Sequence, residues 1–179
     1  LEILQAVGLV AAEDTRRTGI LLRHYDISTP VLSVHEHNER QRSASLVGRL
    51  AAGDSVALVT DAGTPAISDP GAQLVAAVRE AGFTVEPIPG PSAVRAALSA
   101  AGLDSEGFTF LGFPPNRSTD RTKWLSQVIE ETRRRPVVFF ESPHRILKTL
   151  EGLSILGKCQ IMVGRELTKV HEEIRWGTP

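Results

Sequence analysis

Apolar and polar positions follow two rhythms along this chain. Short aliphatic, β-branched runs alternate with stretches in which apolar residues recur three or four positions apart, the periods of buried strands and of one-sided helices. LVAA at 9–12 reads as a strand that enters the helical stretch EDTRRTGILLRHY. PVLSVH at 30–35 is a second strand, and the helix after it begins near Asn38, ends at Gly53 and carries Leu46, Val47 and Leu50 on one face. SVALVTD at 55–61 is nearly all apolar, as a strand covered on both faces should be.

Glycines and prolines divide the chain further. In DPGAQLVAAVREAG, Asp69 suits an N-cap, Pro70 the first helical position and Gly82 the residue after the last turn, with Leu74, Val78 and Ala81 sharing a face. FTVEPIP at 83–89 predicts another strand, which Pro87 places near an edge or a sheet end. GPSAVRAALSAAG opens a helix that Gly102 closes. FTFLGF at 108–113 and PVVFFES at 136–142 predict strands separated by a polar loop and a helix; HRILKTLEGL is helical and QIMVGREL at 160–167 is strand-like. Strands alternating with helices imply parallel βαβ units and an α/β fold. The prolines and glycine of IPGPSA at 88–93 mark a domain boundary, giving an N-terminal α/β domain at 1–89 and a C-terminal α/β domain at 90–179.

Composition narrows the class without changing this picture. The 179 residues are 41% hydrophobic and 23% charged, enough for one sizeable core or two small ones. Apolar runs such as VVFF at 137–140 are too short to span a bilayer, and LEILQAVGLVAAEDTRR lacks the leading positive charge of a signal peptide, so no membrane association is expected. One cysteine, Cys159, excludes an internal disulfide framework and fits a reducing cytoplasm. A net charge of -1 gives no global attraction to nucleic acid, yet residues 116–135 hold six basic residues against three acidic ones. That stretch is either a solvated helix face or a phosphate-facing patch.

Several chemistries are absent. No G-x-G-x-x-G follows a strand, and neither a P-loop nor a G-x-S-x-G elbow occurs. Of the histidines, only His35 and His37 lie close together; on one strand face, without a third ligand nearby, they make no metal site. What remains is concentrated at strand ends. LVTDAGTPAISDPG at 58–71 would occupy the crevice beyond the carboxyl end of a parallel strand, where ligands bind in open α/β sheets. Gly63 lets a ligand approach the main chain, and Pro65 stiffens the loop. EDTR at 13–16, ESPHR at 141–145 and GRELTK at 164–169 load three further strand ends with charge, suggesting one polar cleft.

AAEDTRRT, LVTDAGTPAISDPG, IPGPSA, FLGFPP, FFESPHR and GRELTKVHEE, in that order, closely resemble the tetrapyrrole methylase superfamily and, within it, the enzymes that 2′-O-methylate a cytidine ribose in 16S rRNA. The resemblance covers essentially the whole chain. It implies two α/β domains with S-adenosyl-L-methionine in the cleft between them, and a cytoplasmic homodimer acting on 16S rRNA within the small ribosomal subunit. Carried over position by position, donor contacts should include Gly63, Thr64, Pro65, Ile67 and Ser68, then Ser92 and Ala93, with Phe140, Glu141, Leu167 and Thr168 from the second domain. Asp69 then reads as the cap of the next helix. The family begins with a strand and a glycine-containing loop that this sequence does not include, and it has a final strand beyond GTP, so the sequence reads as a fragment of a longer chain.

Methyl transfer to a ribose hydroxyl is an in-line displacement that gains from alignment and from a base in hydrogen-bond reach. Glu13, Asp14, Asp61, Glu141 and Glu166 are the carboxylates at strand ends, and Arg16, Arg145, Arg165 and Lys169 the cations. Asp14 and Arg16 from EDTR, with Glu166 and Lys169 from GRELTK, are expected to be the catalytic, substrate-side groups. Two other readings use the same architecture: a methylase of a small tetrapyrrole, and a non-catalytic module that binds a nucleotide or the methyl donor. The former would call for an aromatic cavity, and aromatic content is only 5%.

Overall fold

The computed structural model describes residues 1–179 and divides them into two compact units, Leu1–Pro91 and Ser92–Pro179. The first unit is built around β1 (Leu9–Ala12), in which every residue is buried. β1 lies between β2 (Val31–Ser33) and β3 (Val56–Val59) and is parallel to both. Helices α2 (Thr15–His24) and α3 (Glu39–Ala51) connect these strands, after a short α1 (Glu2–Ala6), and α4 (Ala72–Glu80) follows β3. Strand side chains alternate between faces. Leu9 and Ala11 accordingly join Val34, Leu46, Leu74 and Val78 in one core under α3 and α4, while Val10 and Ala12 are buried on the opposite face.

The second unit carries α5 (Ala93–Ala101), β4 (Thr109–Phe110), α6 (Ser118–Thr132), β5 (Val137–Val138), α7 (Ile146–Leu153), β6 (Ile161–Arg165) and β7 (Glu173–Gly177). β4 and β5 form a parallel pair, as a βαβ unit requires. Trp124 and Val128 of α6 pack with Leu153 of α7, and Trp124 meets Phe139 edge-on. Ser92 caps α5 by accepting from Arg95 N, and Gly102 ends that helix in the left-handed conformation at φ 59°. No helix is long and apolar enough to cross a membrane.

The structure corrects five expectations. FTVEPIP forms no strand: Phe83 to Pro89 run without a partner, and their prolines cannot donate to a ladder. β2 stops at Ser33, so His35 and His37 sit in a turn rather than on a strand face. β6 pairs antiparallel with β7, a strand the apolar pattern around EEIRWG did not reveal. β3 is an edge strand and only half-buried, not covered like β1. Asp69 does not cap α4. The helix starts two residues later than DP suggests, at Ala72 after Gly71, which has φ 131°. Its free N–H groups are met by a buried carboxylate from α3: Glu39 Oε1 accepts from Gly71 N at 3.0 Å and Leu74 N at 2.9 Å.

A side chain at Gly71 would both strain this backbone and strike Leu58, whose Cδ2 lies 2.8 Å from the position of an added Cβ. Gly71→Ala should therefore lower stability by about 1–3 kcal/mol, read as an earlier urea midpoint. An unchanged midpoint would show that the junction tolerates a Cβ.

Candidate functional site

The carboxyl ends of β1 and β3 bring the first charged groups together. β1 delivers Glu13 beside the end of β3, where its Oε2 accepts from Thr60 Oγ1 at 2.6 Å and from Asp61 N at 3.2 Å. Arg17, one turn into α2, reaches Asp61 at 3.4 Å. Asp14 and Arg16 make their contacts with each other. Asp14 caps α2 by accepting from Arg16 N at 2.8 Å, and the Arg16 guanidinium closes on the same carboxylate at 2.9 Å. Arg16 is 89% exposed and Arg17 also faces solvent, so both present cations at the sheet's edge.

From Asp61 the chain loops to Gly71. Ile67 N bonds Thr64 O at 3.2 Å and Ala66 N bonds Pro70 O at 3.1 Å. Between these bonds the backbone takes conformations that side chains disfavour: Gly63 at φ 75°, Ala66 at 69° and Ser68 at 63°. Five non-glycine residues in the protein have positive φ, and two of them are here. Glu166 and Thr168, in the turn between β6 and β7, are two of the others. Such strain persists only where surroundings over-determine the chain, and it concentrates at ligand sites. Gly63, Thr64, Ile67 and Ser68 are exposed, with Pro65 half-buried beneath them. A Cβ on Gly63 would meet only Asp69 Oδ2, at 4.0 Å, so the main chain there is open to close approach.

Asp69 shares this end of the sheet with Glu13 and Asp61. Its carboxyl is pushed above the ordinary value, first by desolvation and then by those two charges. Three carboxylates thus gather at this end of the loop, one of them, Asp61, paired with Arg17.

In the second unit, a cavity of about 940 Å³ collects Ala93, Phe140, Glu141, Glu166 and Leu167 along one mostly apolar wall. Ser92, Thr168 and Lys169 lie outside its lining. Phe140 packs against Phe110 and Phe113. Glu141 differs from the other candidates because its side chain is only 3% exposed. Its carboxylate pairs with Arg145 at 2.9 Å and accepts from Thr149 Oγ1, which in turn accepts from Arg121 Nη2 at 2.7 Å. Arg145 also donates to Pro114 O and Asn116 Oδ1, tying the FPPN turn to the end of β5. Within the basic 116–135 stretch, Arg121 is committed to this network, whereas Arg133 and Arg134 are exposed and pair with Glu130 at the surface. Lys169 pairs with Glu166 at 3.2 Å on the exposed turn, where Glu172 accepts from Thr168 N.

Sequence reasoning did not single out Glu39, Arg17, Thr60, Thr149 or Arg121. Glu39, Arg17, Thr60 and Arg121 find their partners 28 or more positions away along the chain, and Thr149 meets Glu141 eight residues before it across the start of a helix, so spacing carried no signal for them. No group of His, Cys, Asp and Glu is arranged to hold a metal ion.

The family model for tetrapyrrole (corrin/porphyrin) methylases matches residues 1–178, and the chain belongs to that family. Among proteins of known name, it is similar to ribosomal RNA small subunit methyltransferase I. It is 48% identical to that of Escherichia coli O157:H7 over 181 residues, which covers 100% of this chain and 62% of the relative. It is also 48% identical to that of Synechocystis sp. over 180 residues, covering 99% of this chain and 64% of the relative. The chain thus spans less than two thirds of the length of these curated relatives. Among solved structures it resembles a cobalamin biosynthetic enzyme, cobalt precorrin-4 methyltransferase, with a TM-score of 0.67 at 18% identity over 99% of this chain and 77% of that one. That likeness confirms the α/β methylase fold.

Two outcomes follow from the geometry. The Arg16 guanidinium and then the Arg16 backbone N–H, by hydrogen bonding, with the guanidinium charge after them, hold the Asp14 carboxyl down at about 2 from an ordinary 3.8. Because the folded value is depressed, the pairing is fully present above 3.8 and is lost as pH falls through about 2. An NMR titration of Asp14 should give that low midpoint, and an ordinary midpoint would mean that the fork is open in solution. Thr149→Val should destabilise the second unit by about 1–3 kcal/mol, because it strips a hydrogen bond from a buried carboxylate. Thr149→Ser should restore the denaturation midpoint, and equal loss in both variants would assign the effect to packing.

Proposed function

We propose that this chain catalyses S-adenosyl-L-methionine-dependent 2′-O-methylation of a cytidine ribose in 16S rRNA, acting on the small ribosomal subunit as a cytoplasmic homodimer. The observation that carries the reading is the strained, exposed loop of residues 61–71 at the carboxyl end of a parallel strand, in a chain of the methylase family. Its 48% identity to two proteins named ribosomal RNA small subunit methyltransferase I supports rRNA as the acceptor.

The residues suit such a donor. The exposed main chain at Gly63, Thr64, Ile67 and Ser68 offers backbone groups to a nucleoside, with Pro65 as support. The carboxylates of Glu13, Asp61 and Asp69, against the single paired cation Arg17, favour a cationic sulfonium. In this reading the first domain, 1–89, presents this loop to the donor, and the second domain, 90–179, supplies the remaining contacts. Ser92 and Ala93 then add contacts at the start of the second domain, and Phe140, Glu141, Leu167 and Thr168 complete its side. Bound there, the donor supplies an activated methyl group.

The chain's own work is alignment and charge control. Carbon–oxygen bond formation at the ribose accompanies carbon–sulfur cleavage, and the hydroxyl proton leaves to a base. Asp14, held so far below neutrality, is a weak base, and its part is to fix Arg16, whose exposed guanidinium meets substrate phosphate. Glu166 and Lys169 form the second substrate-side pair, and Lys169 offers a further cation to phosphate.

Purified protein given methyl-labelled donor and small ribosomal subunits should place label in 16S rRNA, on a ribose 2′-oxygen. Label appearing only in an added porphyrinoid would replace this reading with a tetrapyrrole methylase. Donor binding with no transfer to any acceptor would make the chain a binding module.

A further inference from the structure

Each end of the 61–71 loop is held by a carboxylate that no cation neutralises among its hydrogen bonds. At the entry, Glu13 Oε2 takes Thr60 Oγ1 and Asp61 N; at the exit, Glu39 Oε1 takes Gly71 N and Leu74 N. Glu39 is 4% exposed although it opens the first turn of α3. Its own hydrogen-bonding partners are backbone amides at the start of another helix, so the positive ends of α3 and α4 converge on its charge. A buried carboxylate is costly to keep, and these amides are what offset that cost.

The loop between the two carboxylates is the one with Ala66 and Ser68 in the left-handed region. Its internal hydrogen bonds, from Ile67 N and Ala66 N, do not fix its ends. We propose that Glu13 and Glu39 are positioning residues for the methyl-donor loop, a pair of clamps that impose its strained conformation from outside. Glu13 then acts as an acceptor for Thr60 and Asp61 and takes no proton in the reaction. The proposal rests on the loop's being the donor wall.

The test is donor affinity by calorimetry with S-adenosyl-L-methionine, joined to amide hydrogen exchange over residues 61–74. Glu39→Ala and Glu13→Ala should each weaken donor binding about tenfold or more, the scale of losing hydrogen bonds to a charged acceptor. Both should also speed exchange in the loop. Glu39→Gln and Glu13→Gln, which keep an acceptor oxygen, should stay within about threefold of the parent protein. Leu46→Ala, a cavity variant of the same helix, supplies the control: it should lower the melting temperature without changing donor affinity.

If Leu46→Ala weakens the donor as much as Glu39→Ala at equal loss of stability, Glu39 is only structural and the proposal falls. Unchanged loop exchange in both alanine variants also overturns it. Full donor affinity with lost turnover in Glu13→Gln would make Glu13 the base instead. A parent protein that binds no donor would sink the functional reading, while the exchange rates would still decide the clamps.

Discussion

Everything in the first unit depends on the complete burial of β1 between two parallel neighbours. Four small or aliphatic residues, Leu9 to Ala12, are buried on both faces, and pairing with a parallel strand on each side fixes their register. Parallel pairing then forces β1, β2 and β3 to end on the same side. Charged residues that follow each strand are thereby delivered to a single edge, Glu13 against Thr60 and Arg17 against Asp61. The polar site is a by-product of an apolar constraint, because the chain must turn where its buried run stops.

The same logic separates what the sequence made legible from what it did not. β1, the helices from Thr15 and Glu39, and the capped helix from Ala93 were readable because their signals are local: period, cap and C-terminal glycine. The strand ends that carry charge were readable for the same reason. FTVEPIP misled because its apolar alternation is real but needs a neighbour, and none pairs with it. β7 escaped because EIRWG draws its strand character from pairing with β6 rather than from its own composition. Asp69 looked like a cap because the DPG spelling is a local signal, whereas Glu39 wins the position from 32 residues away. Exposed positions of the loop could be named in advance, but its support Glu39 could not, since it acts from 32 residues away; in the second unit Arg121 likewise reaches Thr149 from 28.

Electrostatics assigns the charged residues to distinct roles. Pairs such as Arg16 with Asp14 and Lys169 with Glu166 sit in solvent, where an isolated ion pair contributes little to stability. Such residues remain available to meet a phosphate. Glu141 with Arg145 is different: its carboxylate is buried and multiply bonded, so it holds backbone in place. In ESPHR the carboxylate and the guanidinium are bonded to each other and to neighbouring elements, so the motif's charges shape the cavity wall on which Glu141 lies.

The distance of Glu39 from the loop in sequence has one more consequence. A segment carrying residues 58–71 alone would have neither clamp and no reason to hold Ala66 and Ser68 in strained geometry. The loop's shape exists only after α3 and α4 have docked on the sheet, so its formation and the cooperative folding of the first unit are a single event. Any ligand selective for that shape is for this reason thermodynamically linked to folding, and its occupancy deepens the native well.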